Sequence, residues 1–92
     1  MIERIIIIDK VDPVTFYGVN NANIQLIRNL FPKLRMAARG TIIKVIGDDA
    51  ETSVFEEKIK KLEDYCAKYN KLTSEVIIDT VRGESPKEIE LD

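Results

Sequence analysis

The stretch LRMAARGTIIKVIG, residues 34–47, contains the clearest local structure in this chain of 92 residues. Its two halves flank Gly40 and Thr41, and glycine at the first central position of a two-residue loop is typical of a type II′ β-hairpin. The turn fixes the register, which predicts three facing pairs on one side of the hairpin: Ala38 with Ile43, Met36 with Val45, and Leu34 with Gly47. That side is uniformly apolar, so we expect it to face the core.

The opposite side of the hairpin mixes positive charge with isoleucine. It carries Arg35, Ala37, Arg39, Ile42, Lys44 and Ile46. A cationic sheet face can follow a nucleic-acid backbone, whereas an apolar one more often docks another domain or subunit. The residues of the hairpin leave both uses open.

Before the hairpin, the run Ile5-Ile6-Ile7-Ile8 predicts a first strand that is apolar on both faces, so half of these isoleucines must point outward. Residues 14–18 are interpreted as a loop or a short extension. A helix of about ten residues should then end at Pro32, because proline cannot continue it. Three asparagines before this helix are candidate N-caps: Asn20, Asn21 and Asn23.

After the hairpin, Asp48 is expected to cap a long helix that ends near Tyr69. One apolar stripe at helical spacing runs along it: Phe55, Ile59, Leu62, Cys66 and Tyr69. Lysines, glutamates and Asp64 are expected to solvate the remaining faces, Glu63 among them. Thr73 should cap a last short helix that Gly83 ends.

The predicted order is therefore β-α-β-β-α-α, which indicates a small two-layer α+β domain with an antiparallel sheet and helices on one face. Residues 1–83 form this domain. Residues 84–92 are polar around Pro86 and are interpreted as a tail or linker, in which Ile89 and Leu91 could begin a strand of another unit.

Composition excludes several classes of function. The chain has no histidine, which excludes Ser-His-Asp and Cys-His catalysis and histidine metal sites. No glycine-rich loop followed by lysine is present, so we expect no bound nucleotide, no cofactor, no metal and no catalytic residue in this chain. One cysteine and no long apolar run favour a cytoplasmic protein without a membrane segment.

Charge is distributed unevenly along the chain. Residues 1–47 hold seven Lys/Arg against three Asp/Glu, a balance of +4, whereas residues 48–92 hold seven against thirteen, a balance of −6. Any surface that binds nucleic acid should therefore lie in the first half.

Residues 16–23, FYGVNNAN, form the second candidate site. Gly18, Asn20 and Asn21 precede a predicted helix, whose first backbone amides could meet a phosphate while the ring of Tyr17 stacks on a base. The alternative is that the aromatic side chains pack beneath the helix and the asparagines cap it.

These residues carry a resemblance to a known family. The stretch FYGVNNANI at residues 16–24, followed by Ala38-Arg39-Gly40, Ile43-Lys44-Val45 and Gly47, resembles the N-terminal domain of the PhoH family, the bacterial phosphate-starvation-inducible P-loop ATPases. Nearly the whole chain follows the pattern of that domain. The resemblance implies a KH-like module that precedes an ATPase core, and only that core would bind ATP and Mg²⁺.

Two functions follow from the resemblance as expectations. The first is a non-catalytic accessory domain that docks on its own ATPase core or on neighbouring subunits. The alternative is a module that binds RNA or single-stranded nucleic acid through the basic hairpin face and the helix start at residues 18–23. KH domains clamp nucleotides with a GXXG loop between helices, and this sequence has no two glycines at that spacing.

Overall fold

A computed structural model describes residues 1–83, and the predicted tail at residues 84–92 lies outside the described residues. The elements in chain order are β1 (Ile2–Ile7), α1 (Pro13–Tyr17), α2 (Ala22–Leu30), β2 (Arg35–Arg39), β3 (Ile42–Gly47), α3 (Asp49–Tyr69) and α4 (Ser74–Arg82), with a short 3₁₀ turn over Val19–Asn21. The predicted class is confirmed: the protein is a small α+β domain with a three-stranded antiparallel sheet and its helices on one face.

The three strands are arranged in the order β1-β3-β2, so β3 is central and pairs with both neighbours. The hairpin register is as predicted, with Ala38 opposite Ile43 and Met36 opposite Val45. Gly40 has a φ of 59°, a left-handed conformation that glycine adopts without strain. Leu34 lies before β2 rather than within it, and a Cβ atom at Gly47 would overlap its side chain. Glycine at position 47 therefore lets Leu34 reach the core.

β1 begins at Ile2, three residues before the isoleucine run, because it pairs with β3 as far as Gly47. Its side chains alternate between two environments. Ile6 and Ile8 are buried in the core, whereas Ile5 and Ile7 are exposed on the side of the sheet away from the helices. The expectation that half of these isoleucines point outward is confirmed.

The helices lie on one side of the sheet, and α4 contacts other helices but none of the described strands. α3 crosses β1 and β3, α2 lies beside β2, and α4 packs on both helices. Phe31 at the end of α2 meets Phe55 of α3 edge to face, with 5.1 Å between the ring centroids. No helix within residues 1–83 is long and apolar enough to cross a membrane.

The expectation of a loop or a short extension at residues 14–18 is wrong, since most of this segment belongs to α1. Asp12 caps α1 by accepting a hydrogen bond from the amide of Val14 at 3.0 Å, and Pro13 occupies the first helical position. An acidic cap followed by proline favours a helix start. The whole helix has only five residues, too few to show helical periodicity.

The caps of α3 and α4 are as predicted, and that of α2 is not. Asp48 accepts from the amide of Ala50, and Thr73 accepts from the amide of Val76. By contrast, no asparagine side chain caps α2: Asn21 occupies the cap position in a left-handed conformation without a side-chain hydrogen bond to the helix.

The expectation that Glu63 is solvated is wrong. Its side chain is buried, and its carboxylate accepts hydrogen bonds from the backbone amides of Asp9 and Lys10 at 3.0 and 2.8 Å. These amides follow β1 directly, so a carboxylate on α3 satisfies the backbone at the point where the strand ends.

Candidate interaction surface

The side of the sheet that faces away from the helices carries nine side chains, three from each strand. We call these nine residues the outer face. In register they form three rows across β1, β3 and β2: Glu3, Ile46, Arg35; then Ile5, Lys44, Ala37; then Ile7, Ile42, Arg39. The predicted hairpin face is thus one part of a larger surface that includes β1.

The outer face is apolar at one end. Ile5, Ile7 and Ile42 are 56%, 55% and 45% exposed, and the register places Ile7 directly beside Ile42. Ile46 is only partly exposed, since Glu3 and Arg35 stand on either side of it. Large aliphatic side chains exposed side by side are typical of a surface that contacts another molecule.

The charge of the outer face is concentrated on β2. Arg35 and Arg39 have no ion-pair partner among residues 1–83, whereas Lys44 lies 3.9 Å from a carboxylate oxygen of Glu3. The face therefore has an apolar part on β1 and β3 and a cationic margin along β2. It carries three cations against one carboxylate, a local balance of +2.

The second candidate site is a tight turn between α1 and α2. Three of its residues have positive φ: Gly18 at 86°, Asn20 at 56° and Asn21 at 60°. Asparagine adopts the left-handed region more readily than other side chains. Residues 18–21, GVNN, thus form a four-residue link between two helices, with a left-handed asparagine where a GXXG loop has its second glycine. The glycine spacing alone could not indicate this.

Gly18 is required at its position. Besides its positive φ, a Cβ atom there would lie 2.9 Å from Cγ of Asn23. The Asn23 side chain cannot easily move, because its amide donates to the carbonyls of Phe16 and Leu72 at 3.1 Å each. Asn23 therefore holds the turn against the loop that follows α3.

Tyr17 is not available for stacking on a base. Its side chain is buried, and its hydroxyl donates a 2.8 Å hydrogen bond to the carbonyl of Gly40. Burial also raises the pKa of the Tyr17 hydroxyl above its usual range. The aromatic side chain thus packs beneath the helices, as the structural alternative predicted.

The Tyr17 hydrogen bond joins two of the candidate groups. It holds the hairpin turn against the end of α1. In sequence, Gly18 follows Tyr17 and Arg39 precedes Gly40. Arg35 lies at the other end of β2, about 13 Å away along the strand. Of the sequence-predicted arginines, Arg39 therefore lies beside the hairpin turn and Arg35 at the far end of β2.

Four of the nine residues of the outer face were not predicted as site residues, and two of these are large exposed side chains, Ile5 and Ile7. Alternation along the isoleucine run could have identified them. Elsewhere, Cys66 is buried on α3, and burial raises the pKa of its thiol. Within the described part of the chain, no cluster of three or more His, Cys, Asp or Glu side chains could hold a metal ion.

No family model, curated protein or solved structure matches the chain. The resemblance to the PhoH family remains a prediction from sequence.

Proposed function

We propose that this chain is a non-catalytic accessory domain that binds a protein partner through its outer face. The observation that carries the proposal is the pairing of exposed Ile7 and Ile42 on strands whose other side already supplies a complete core. Burying those side chains in an interface removes apolar surface from water without taking any residue from the fold.

The charges define the partner surface. A second outer face stacked on the first would oppose two surfaces with a balance of +2 each, so the face suits a partner that is apolar in its centre and acidic at its margin. Acidic groups beside the partner's apolar centre would meet Arg35 and Arg39, which have no ion-pair partner within the described residues.

The resemblance to the PhoH family indicates which partner this is. In our proposal the chain is the N-terminal domain of such a protein, and the outer face docks on the ATPase core or on a neighbouring subunit. ATP and Mg²⁺ belong to that core. The proposal predicts a glycine-rich phosphate-binding loop with its lysine in the reading frame beyond Asp92.

Calorimetric titration of the separately expressed core with this chain tests the docking. Ile42→Ser should weaken binding at least tenfold, because it removes an exposed aliphatic side chain from the apolar part of the face. Val54→Ser is the matched control, since Val54 on α3 is 44% exposed but lies on the helical side of the molecule. Equal binding by wild type and Ile42→Ser would contradict docking through the outer face.

A second function is favoured by the turn at residues 18–21. Its three left-handed residues give the chain a compact link between helices like that with which KH domains hold a nucleic-acid backbone. Arg39, Lys44 and Arg35 supply the positive charge of the outer face. We propose weak binding of single-stranded RNA as the alternative role.

Salt dependence separates the two roles. If Arg35, Arg39 and Lys44 each neutralise a phosphate, the logarithm of RNA affinity should fall with that of salt at a slope of about −2, roughly −0.7 per contact. Replacing the three by Ala should flatten the slope, and Asn20→Asp with Asn21→Asp should weaken binding by adding negative charge at the turn. No binding to a single-stranded RNA in low salt would eliminate this role and leave docking.

A further inference from the structure

The two edges of the sheet differ in how they are protected. At the β2 edge, the Arg28 guanidinium donates to the carbonyl of Met36 at 3.4 Å, and arginines on that strand add charge. The β1 edge has no such cover among residues 1–83: its second half is Ile5-Ile6-Ile7, without proline or charge. An open apolar edge is a template for another strand.

The register shows which backbone groups this edge presents. The Ile8 amide donates to the Thr41 carbonyl at 2.7 Å, so the even-numbered residues of β1 form the hydrogen-bonded pairs with β3. Because hydrogen bonding alternates along an antiparallel strand, the amides and carbonyls of Glu3, Ile5 and Ile7 point away from β3. The next amide in this series belongs to Asp9 and is already bound by Glu63. The open segment therefore ends after Ile7.

A groove of about 330 Å³ runs beside this segment. Its walls are β1, at Ile5 and Ile7, and α3, at Glu56 and Lys60. The α3 wall holds three carboxylates, Glu56, Glu63 and Asp64, against one lysine, Lys60, a balance of −2, so it disfavours an acidic strand. The groove is suited to an apolar strand that brings no excess of negative charge.

We infer that a second copy of this chain occupies the edge, with β1 pairing antiparallel to β1 about a two-fold axis at Ile5. Ile5 then faces Ile5 of the second copy. Glu3 faces Ile7 of the second copy, and Ile7 faces Glu3 of the second copy. These three facing pairs make two backbone hydrogen bonds each, which is six in all. The result is a continuous six-stranded sheet in which the two outer faces lie side by side.

Neighbouring registers are less favourable. A two-fold axis at Arg4 places Arg4 directly opposite Arg4, and an axis at Ile6 places Glu3 opposite Asp9, so like charges face each other in both. The axis at Ile5 avoids this and uses every free group of the open segment. β1 is itself a strand that suits the groove, since it is apolar at Ile5 to Ile7 and the charges of Glu3 and Arg4 balance each other.

This inference goes beyond docking on an ATPase core and does not rest on it. Two short paired strands with their flanking α3 side chains bury less surface than a typical stable complex, so we expect a weak dimer that dissociates at roughly 10–100 µM. Sedimentation of the full chain at concentrations from about 5 to 500 µM measures this. A chain that stays monomeric throughout would overturn the inference.

Disulfide trapping tests the register. Facing Cα atoms in a hydrogen-bonded pair are about 5.5 Å apart, within the range that a disulfide spans. Ile5→Cys should therefore cross-link rapidly under mild oxidation. Ile7→Cys is the matched control: it has almost the same exposure on the same strand, but the proposed register places the two Ile7 positions about 13 Å apart.

A mixture of Glu3→Cys and Ile7→Cys should cross-link as a heterodimer, since these positions face each other. Thermal melts of each variant confirm that the fold is retained. Equal cross-linking of Ile5→Cys and Ile7→Cys, or faster cross-linking of Ile42→Cys, would overturn the register and indicate contact through another surface. Ile42→Ser, which should weaken docking, should leave the sedimentation unchanged, so the failure of one proposal is distinguishable from that of the other.

Discussion

The two faces of the sheet are built from the same residue type and have opposite surroundings. On β3, Ile43 is completely buried and its neighbour Ile42 is 45% exposed; on β1, Ile6 and Ile8 are buried while Ile5 and Ile7 are not. Alternation in a strand places neighbouring side chains on opposite faces. The comparison shows that one isoleucine-rich pattern can provide both a core and an exposed apolar face.

The polar contacts of the two sides also differ. On the helical side, the Arg4 guanidinium donates to Thr52 at 3.0 Å and to Asp49 at 2.8 Å, and the buried Glu63 carboxylate binds two backbone amides. On the outer face, the ion pair of Lys44 and Glu3 is long and exposed. Polar groups are thus paired where they support the fold and are less constrained on the outer face.

The largest expected effect separates Ile43 from Ile42. Ile43→Ala should lower the free energy of unfolding by about 2–5 kcal/mol, because it leaves a cavity in the core. Ile42→Ala should cost about 1 kcal/mol or less, mainly through lower β-propensity. Urea denaturation of both variants measures the difference. Equal losses would show that the outer face belongs to the core.

The next effect concerns Glu63. Glu63→Ala should lower the free energy of unfolding by about 1–3 kcal/mol, because the amides of Asp9 and Lys10 lose their acceptor. Asp64→Ala is the matched control. Asp64 is exposed and raises the pKa of Lys10 through a hydrogen bond and its charge, but it satisfies no backbone group, so we expect no resolvable change in stability. Similar losses for both variants would exclude a special role of Glu63.

A smaller effect should depend on pH. Burial raises the pKa of the Cys66 thiol in the folded chain, so the unfolded chain loses this proton at lower pH. The contribution to stability is present below the unfolded-state pKa and is lost as pH rises above about 9. Denaturation of wild type and Cys66→Ala between pH 7 and about 10 tests this. The decline should be shallower in the variant, and parallel curves would contradict it.

The smallest effect is expected on the outer face. Lys44→Gln removes the ion pair with Glu3 and should change the free energy of unfolding by less than about 0.5 kcal/mol, since exposed pairs at long distance contribute little. Thermal denaturation measures the change. A loss of more than about 1 kcal/mol in the free energy of unfolding would mean that the charges of the outer face stabilise the fold.

Local signals allowed much of the fold to be predicted. Gly40 and Thr41 determined the hairpin and its register, and Asp48 and Thr73 marked two helix starts correctly. Each of these depends on residues close together in sequence. The outward isoleucines of β1 followed from alternation in the same way.

What was missed depends on contacts between distant segments. Glu63 resembles any solvated helical glutamate, and only the approach of α3 to the end of β1 gives its carboxylate two amides to bind. The burial of Tyr17 depends on Gly40, 23 residues further along the chain. Asn21 was expected to cap α2 with its side chain. Its positive φ depends on the conformation of the turn, which the residue type alone does not determine.

Paired measurements on Ile42→Ser test the central claim most directly, by calorimetric binding to the proposed partner, an ATPase core, and by urea denaturation of the free chain. We predict at least tenfold weaker binding with a free energy of unfolding within about 1 kcal/mol of wild type, since Ile42 lies outside the core. Unchanged binding, or weaker binding accompanied by a loss of several kcal/mol in stability, would contradict the assignment of the outer face as an interaction surface.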